Sequence, residues 1–177
     1  STERNKRAYD AMKKTVLFAL LAASCPALYA EARANLFHIK RNKNRNEVHY
    51  AVRYDEKTCK PVEGDAVYGY WLNLEIGPNN YEPIGRFERI AYGISSQELK
   101  GDDLMVQLKA FPDRVIRVNF STAGGCKVTP HVAINGQESK LKHIYVFAEE
   151  GLIKPTVKYV DIIGVKGSAP VTERINR

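Results

Sequence analysis

The chain has 177 residues, 44% of them hydrophobic, with 27 lysines and arginines against 20 acidic residues for a formal charge of +7. That is too apolar for a disordered chain and short enough for one core. The basic excess is too small to mark a nucleic-acid binder, and it favours loose attraction to anionic surfaces.

From Met12 the sequence runs MKKTVLFALLAASCPALYAEARAN, two lysines followed by an apolar run and then small residues at Ala30, Ala32 and Ala34. This order describes a secretory signal peptide over residues 12–34, with cleavage placing the mature start near Arg33 or Asn35. Residues 1–11 read as an upstream extension or a cloning remnant. The apolar segment, 16 residues if counted from Thr15 to Ala30, is shorter than the roughly 20 a spanning helix requires. Membrane association is therefore expected only if this segment is retained or if Cys25 is lipidated. The expected destination is the bacterial periplasm or the medium. Residues 35–177 then form a single β-rich domain with 21 basic and 17 acidic residues, which leaves +4.

Along that domain the apolar residues alternate with polar ones. In EVHYAVRY, Val48, Tyr50, Val52 and Tyr54 share one face, and Glu47, His49, Ala51 and Arg53 share the other. VYGYWLNLEI places Tyr70, Leu72, Leu74 and Ile76 on the side expected to face the core, with Trp71 opposite. The helical spacing of Ile84, Phe87, Ile90 and Ala91 between Pro83 and Gly93 predicts a helix of two to three turns that covers part of the sheet. LMVQLKAF and VIRVNF are further strands, joined by a tight turn at FPDR. Asn135-Gly136 marks a two-residue hairpin turn, and Pro130 an edge or bulged position. TVKYVDIIGV and the last residues, with Val171 and Ile175, supply the final strands. The expected fold is mainly β, an antiparallel β-sandwich or barrel of about eight or nine strands with one short packed helix.

Of the three cysteines, Cys25 leaves with the signal segment, so Cys59 and Cys126 are expected to form a disulfide in an oxidising compartment. The competing reading makes Cys126 a nucleophile with His131 or His143 as base, but His131 is five residues away along an extended chain. His38, His49, His131 and His143 stand singly in sequence with no ligand-type spacing, so no metal or cofactor is expected. Lys40, Arg41, Lys43 and Arg45 crowd one turn as a candidate cationic loop, and His49, Arg53 and Trp71 are candidates for a mixed aromatic and cationic groove.

Three elements, the Phe-His-Ile-x-Arg opening at residues 37–41, the Tyr-Trp strand at 70–71 and the Phe-Glu-Arg-x-x-Tyr-Gly segment at residues 87–93, resemble a group of small exported bacterial domains of unknown function. The resemblance implies export and one β-rich domain, and it brings no activity or ligand. The functional expectation is a non-enzymatic envelope module for an anionic, glycan or protein partner. The alternatives are a carrier of a small apolar ligand, or an envelope hydrolase or transferase that uses Cys126.

Overall fold

A computed structural model describes residues 31–177 except 44, 150 and 152–154. The expected extension at 1–11, Cys25 and most of the expected signal segment lie outside the described residues. The two expected cleavage points fall within the first strand, β1 (Glu31–Arg41).

Among the described residues twelve strands and one helix follow in chain order. They are β1, β2 (Glu47–Asp55), β3 (Lys60–Pro61), β4 (Val67–Leu72), β5 (Tyr81–Pro83), α1 (Glu88–Tyr92), β6 (Ile94–Lys100), β7 (Asp103–Leu108), β8 (Phe111–Ser121), β9 (Lys127–Ile134), β10 (Gln137–Glu149), β11 (Thr156–Lys166) and β12 (Ala169–Asn176). They form one open mixed sheet, ordered β5-β4-β2-β1-β10-β9-β8-β7-β6, with β3 beside β2 and with β11 and then β12 beside β10. Its ends, β5 and β6, do not pair, so the sheet is not a closed barrel. The count exceeds the expected eight or nine partly because β3 and β5, of two and three residues, are too short to leave a periodic pattern.

One ladder breaks the antiparallel expectation. β1 runs parallel to β10, His38 to Arg41 pairing with His143 to Val146. The thirteen-residue β10 serves three neighbours: β9 at residues 137–140, β1 at 143–146 and β11 along 140–149. The sheet therefore divides into two wings that share β10. Buried Phe37, Ile39, Val48, Tyr50 and Val52 of one wing lie in a single apolar cluster with Leu104, Val106, Leu108, Ile116 and Val118 of the other. Side chains bridge the wings directly. The backbone N–H of Val67 donates to Gln97 Oε1 at 2.8 Å and Gln97 Nε2 donates back to the Val67 carbonyl at 2.9 Å. The Cys59–Cys126 disulfide, with Cα atoms 5.3 Å apart, links the β2–β3 turn to the segment before β9.

The β2 faces are as the alternation indicates, with Val48, Tyr50 and Val52 buried. On β4 the expected faces are reversed. Val48 pairs with Trp71 and His49 with Tyr70, and residues directly opposite share a face, so Trp71 is on the core side and Tyr70 outside. Leu74 and Ile76 are not in the strand at all. The chain turns there, with Gly77 donating to the Asn73 carbonyl at 3.1 Å, and Ile76 is 70% exposed. The turn expected at FPDR falls two residues earlier, at 109–110, because Phe111 pairs with Leu108 across an irregular register.

The helix is shorter than its spacing predicts, and it packs on the sheet through Tyr92 rather than through Phe87 and Ile90. Pro83 pairs with Tyr70 as the last residue of β5, an edge position where proline loses no ladder bond. The chain thus stays extended past the point where a helix would start. Ile84 reaches the core at 6% exposure, but Phe87 and Ile90 stand 84% and 71% exposed. Gly93 is extended, at φ −67°, and is not a left-handed cap. A Cβ there would sit 2.2 Å from the Arg89 carbonyl oxygen.

Asn135 and Gly136 take φ 51° and 74° between paired Ile134 and Gln137, the two-residue hairpin their sequence indicates. Pro130 pairs with Val118 at a point β10 does not reach, since the β9–β10 ladder ends at His131, so its missing N–H is not called for.

Two predictions follow from this architecture. A disulfide spanning 67 residues restricts the unfolded chain by about 4 kcal/mol in the chain-entropy account. A Cys59→Ser, Cys126→Ser double variant should lose a few kcal/mol in urea unfolding, and a loss under about 1 kcal/mol would show that the wings hold without it. On β11, Asp161 faces Arg174 of β12 and accepts from its Nε and Nη2 at 2.8 Å each. These bonds hold the Asp161 carboxyl below the usual range. A depressed folded value stabilises above the unfolded pKa and is lost as pH falls through the folded one. Asp161→Asn should therefore lower the urea midpoint at neutral pH, with the gap to the parent closing at acid pH, once Asp161 is protonated in the folded state as well. An equal gap at both pH values would rule the charge out as the cause.

Candidate functional site

The outer face of the β1 wing carries a row of rings. Because His38 pairs with His49 across β1–β2, His49 with Tyr70 across β2–β4, and His38 with His143 across β1–β10, the four side chains project from neighbouring strands on one face. His38 stacks on His143 at 5.3 Å and on His49 at 5.0 Å between ring centres, and His49 stacks on Tyr70 at 5.6 Å. Tyr81 meets Tyr70 edge-on at 5.5 Å.

Glu47 lies beside this row, two residues from His49 on the same face of β2. Its Oε2 accepts from His49 Nε2 at 2.8 Å and its Oε1 is 3.1 Å from Lys40 Nζ. Burial alone would raise the Glu47 pKa, but the hydrogen bonds from His49 and Lys40 outweigh it and hold the carboxylate charged. Burial pulls His38 down to about 4, so its ring is neutral at neutral pH. Burial likewise lowers His143, with Lys40 adding to the effect. Nε2 of His38 is buried and has no hydrogen-bond partner. One donor atom each from His38, Glu47 and His49 lies within 4.8 Å of the others. The histidines are single along the chain, as the sequence indicates, but across the strands His38 and His49 converge with Glu47. Only the Glu47-x-His49 spacing, which puts both side chains on one face, could have signalled it.

The side chains of the cationic loop divide between the two sides of the sheet. Lys40 is engaged by Glu47, while Arg41 turns to the other side, where its Nη1 donates to Tyr92 Oη at 2.8 Å. Lys43 and Arg45 are exposed. Asn42 anchors the loop to β10, its Nδ2 donating to the Ala148 carbonyl at 3.0 Å and its Oδ1 accepting from the Ala148 N–H at 2.9 Å. The groove proposed from His49, Arg53 and Trp71 is not assembled either. Arg53 shares the outer face, donates to the Asp65 carbonyl and sits 6.0 Å from the Tyr68 ring centre, but Trp71 is on the opposite face. The Sγ of Cys126 is bonded to Cys59, so in this state it offers no thiolate.

Trp71 is instead part of a second site. With Tyr92 of α1, whose ring it meets edge-on at 5.4 Å, it lines a cleft of about 340 Å³ together with Arg41, Asn46, Asn73, Glu82 and Glu88. Trp71 Nε1, Asn46 Oδ1 and Asn73 Oδ1 are each buried without a hydrogen-bond partner. Such groups cost roughly 1–3 kcal/mol apiece unless something completes them. A larger cleft of about 720 Å³ lies between β4 and β6, but there Gln97 spends its amide on the Val67 backbone. Both clefts carry polar side chains, a lining ill matched to an apolar cargo.

Residues 37–174 match the family described as a domain of unknown function, DUF4833, and the chain belongs to that family. Comparison with curated proteins and with solved structures gives no match. Among the described residues no helix is long and apolar enough to cross a membrane.

Proposed function

We propose that this member of the family is an exported, non-enzymatic binding domain that holds a glycan in the cleft beside Trp71. The observation that carries the reading is the gathering of three unpartnered polar atoms, Trp71 Nε1, Asn46 Oδ1 and Asn73 Oδ1, on residues that line one cleft with two aromatic rings. A sugar ring offers an apolar C–H face to an aromatic surface and hydroxyl groups that both donate and accept, so it can meet ring and polar atoms at once. The charge of the lining narrows the class. Glu82 and Glu88 face a single guanidinium, Arg41, which disfavours an anion and suits hydroxyl donors. Export is supported by the charged, apolar and small-residue order before Asn35 and by a disulfide, which persists in oxidising compartments. The same reading takes the two wings as the layers of a β-sandwich, with the cleft at its rim.

Because Trp71 is the sole tryptophan, its fluorescence reports on the cleft directly. Titration with neutral oligosaccharides of bacterial envelopes should shift or quench the emission in a saturable way. Trp71→Phe, read calorimetrically, and Asn73→Ala should each weaken binding by about tenfold, the worth of one or two hydrogen bonds. Saturable binding that both variants retain at full strength would place the ligand elsewhere, and an emission unmoved by the whole panel would end the glycan reading.

A further inference from the structure

We propose that His38, Glu47 and His49 form a binding site for a divalent late first-row transition ion such as Zn²⁺, Ni²⁺ or Cu²⁺. The site lies on the outer face of the sheet and does not rest on the glycan reading. Its donors are two imidazoles and one carboxylate, the set that suits these ions. Ca²⁺ and Mg²⁺ ask for mostly oxygen ligands and find one carboxylate here.

Geometry supports the assignment in three ways. The donor atoms already converge, one from each residue within 4.8 Å of the others. A tetrahedral ion bonded at about 2.0–2.2 Å sets its donors about 3.3 Å apart, so the separations have at most about 1.5 Å to close. The His49 Nε2 to Glu47 Oε2 separation is 2.8 Å, so these two atoms need only to open slightly around the ion and give up the proton they share. Second, Nε2 of His38 is buried and has no other partner, so it can take a metal ion without losing an existing bond. Third, the ligands stand on the paired strands β1 and β2, His38 directly opposite His49, and such ladders hold side chains more precisely than loops do.

Lys40 contacts the other oxygen of Glu47 at 3.1 Å and leaves Oε2 for the ion. Three protein ligands leave a coordination position for water or an added ligand. His143, next in the stack at 5.3 Å, is outside the converging set.

The test uses the full chain without a histidine tag, stripped of metal by chelator and titrated with Zn²⁺ by calorimetry and with Co²⁺ by visible absorption. One equivalent should bind, and bound Co²⁺ should show the intense d–d bands of a four- or five-coordinate site. His38→Ala, His49→Ala and Glu47→Gln should each weaken binding by more than about tenfold, while His143→Ala should stay within about threefold. As a measurement that needs no variant, Zn²⁺ should protect His38 and His49 of the parent protein from diethylpyrocarbonate, as mapped by mass spectrometry. Absence of binding at 1 mM metal (about 4 kcal/mol or less) would overturn the proposal. So would unchanged affinity in the His38 and His49 variants, or modification of both rings at the same rate with and without Zn²⁺.

Discussion

The structure depends on four residues of parallel pairing between β1 and β10. Every other ladder joins antiparallel strands, and without this one the β1 wing and the β9 wing would have no sheet contact. A parallel pair gains slightly less per residue than an antiparallel one, and this pair closes a loop of about a hundred residues, which costs a few kcal/mol of chain entropy. Its neighbours offset that cost. Asn42 extends the ladder by bonding the Ala148 backbone from both ends of its amide, and β11 holds the far edge of β10 along ten residues, 140–149. Phe37 and Ile39 on one side of β1 bury themselves at 4% and 2% exposure.

The same pairing sets where chemistry can occur. Strand alternation sends Phe37 and Ile39 inward, so His38 and Lys40 must face outward. The β10 register then brings His143 beside His38, and the β2 register brings His49 and Glu47 to the other side. The ring row is thus a by-product of burying the opposite face. Its polar members need not share the stability role of the core, which leaves them open to a ligand. The cleft at Trp71 arises differently. It forms where β4 ends, at the turn stabilised by Asn73 and Asn80, and where α1 places Tyr92 against the indole. Tyr50 ties this corner to the core by donating its hydroxyl to the Tyr92 carbonyl at 2.8 Å.

Where local rules were decisive, the residues could be read directly. The alternation over residues 47–54 indicates the buried face of β2, Asn135-Gly136 indicates its turn, and Cys59 and Cys126, the two cysteines after the apolar segment, indicate their bond. Where two local rules compete, reading fails. Pro83 fits a first helical turn and an edge strand equally well, and pairing with Tyr70 decides for the strand, which leaves Phe87 and Ile90 outside the core. In VYGYWL both faces are apolar, so alternation cannot say which one is inward. The answer comes from its partner, because Trp71 lies opposite Val48.

Short-range rules were enough for the β-rich character of the chain, its disulfide and its hairpin turn, because each rests on interactions within a few residues or on a choice between two partners. Only the tertiary structure decided the parallel joining of the wings, the inward side of β4, and the meeting of His38 and His143 with Glu47 and His49. Those depend on register between strands far apart in the chain. A shift of one residue in that register would turn every one of these side chains to the opposite face.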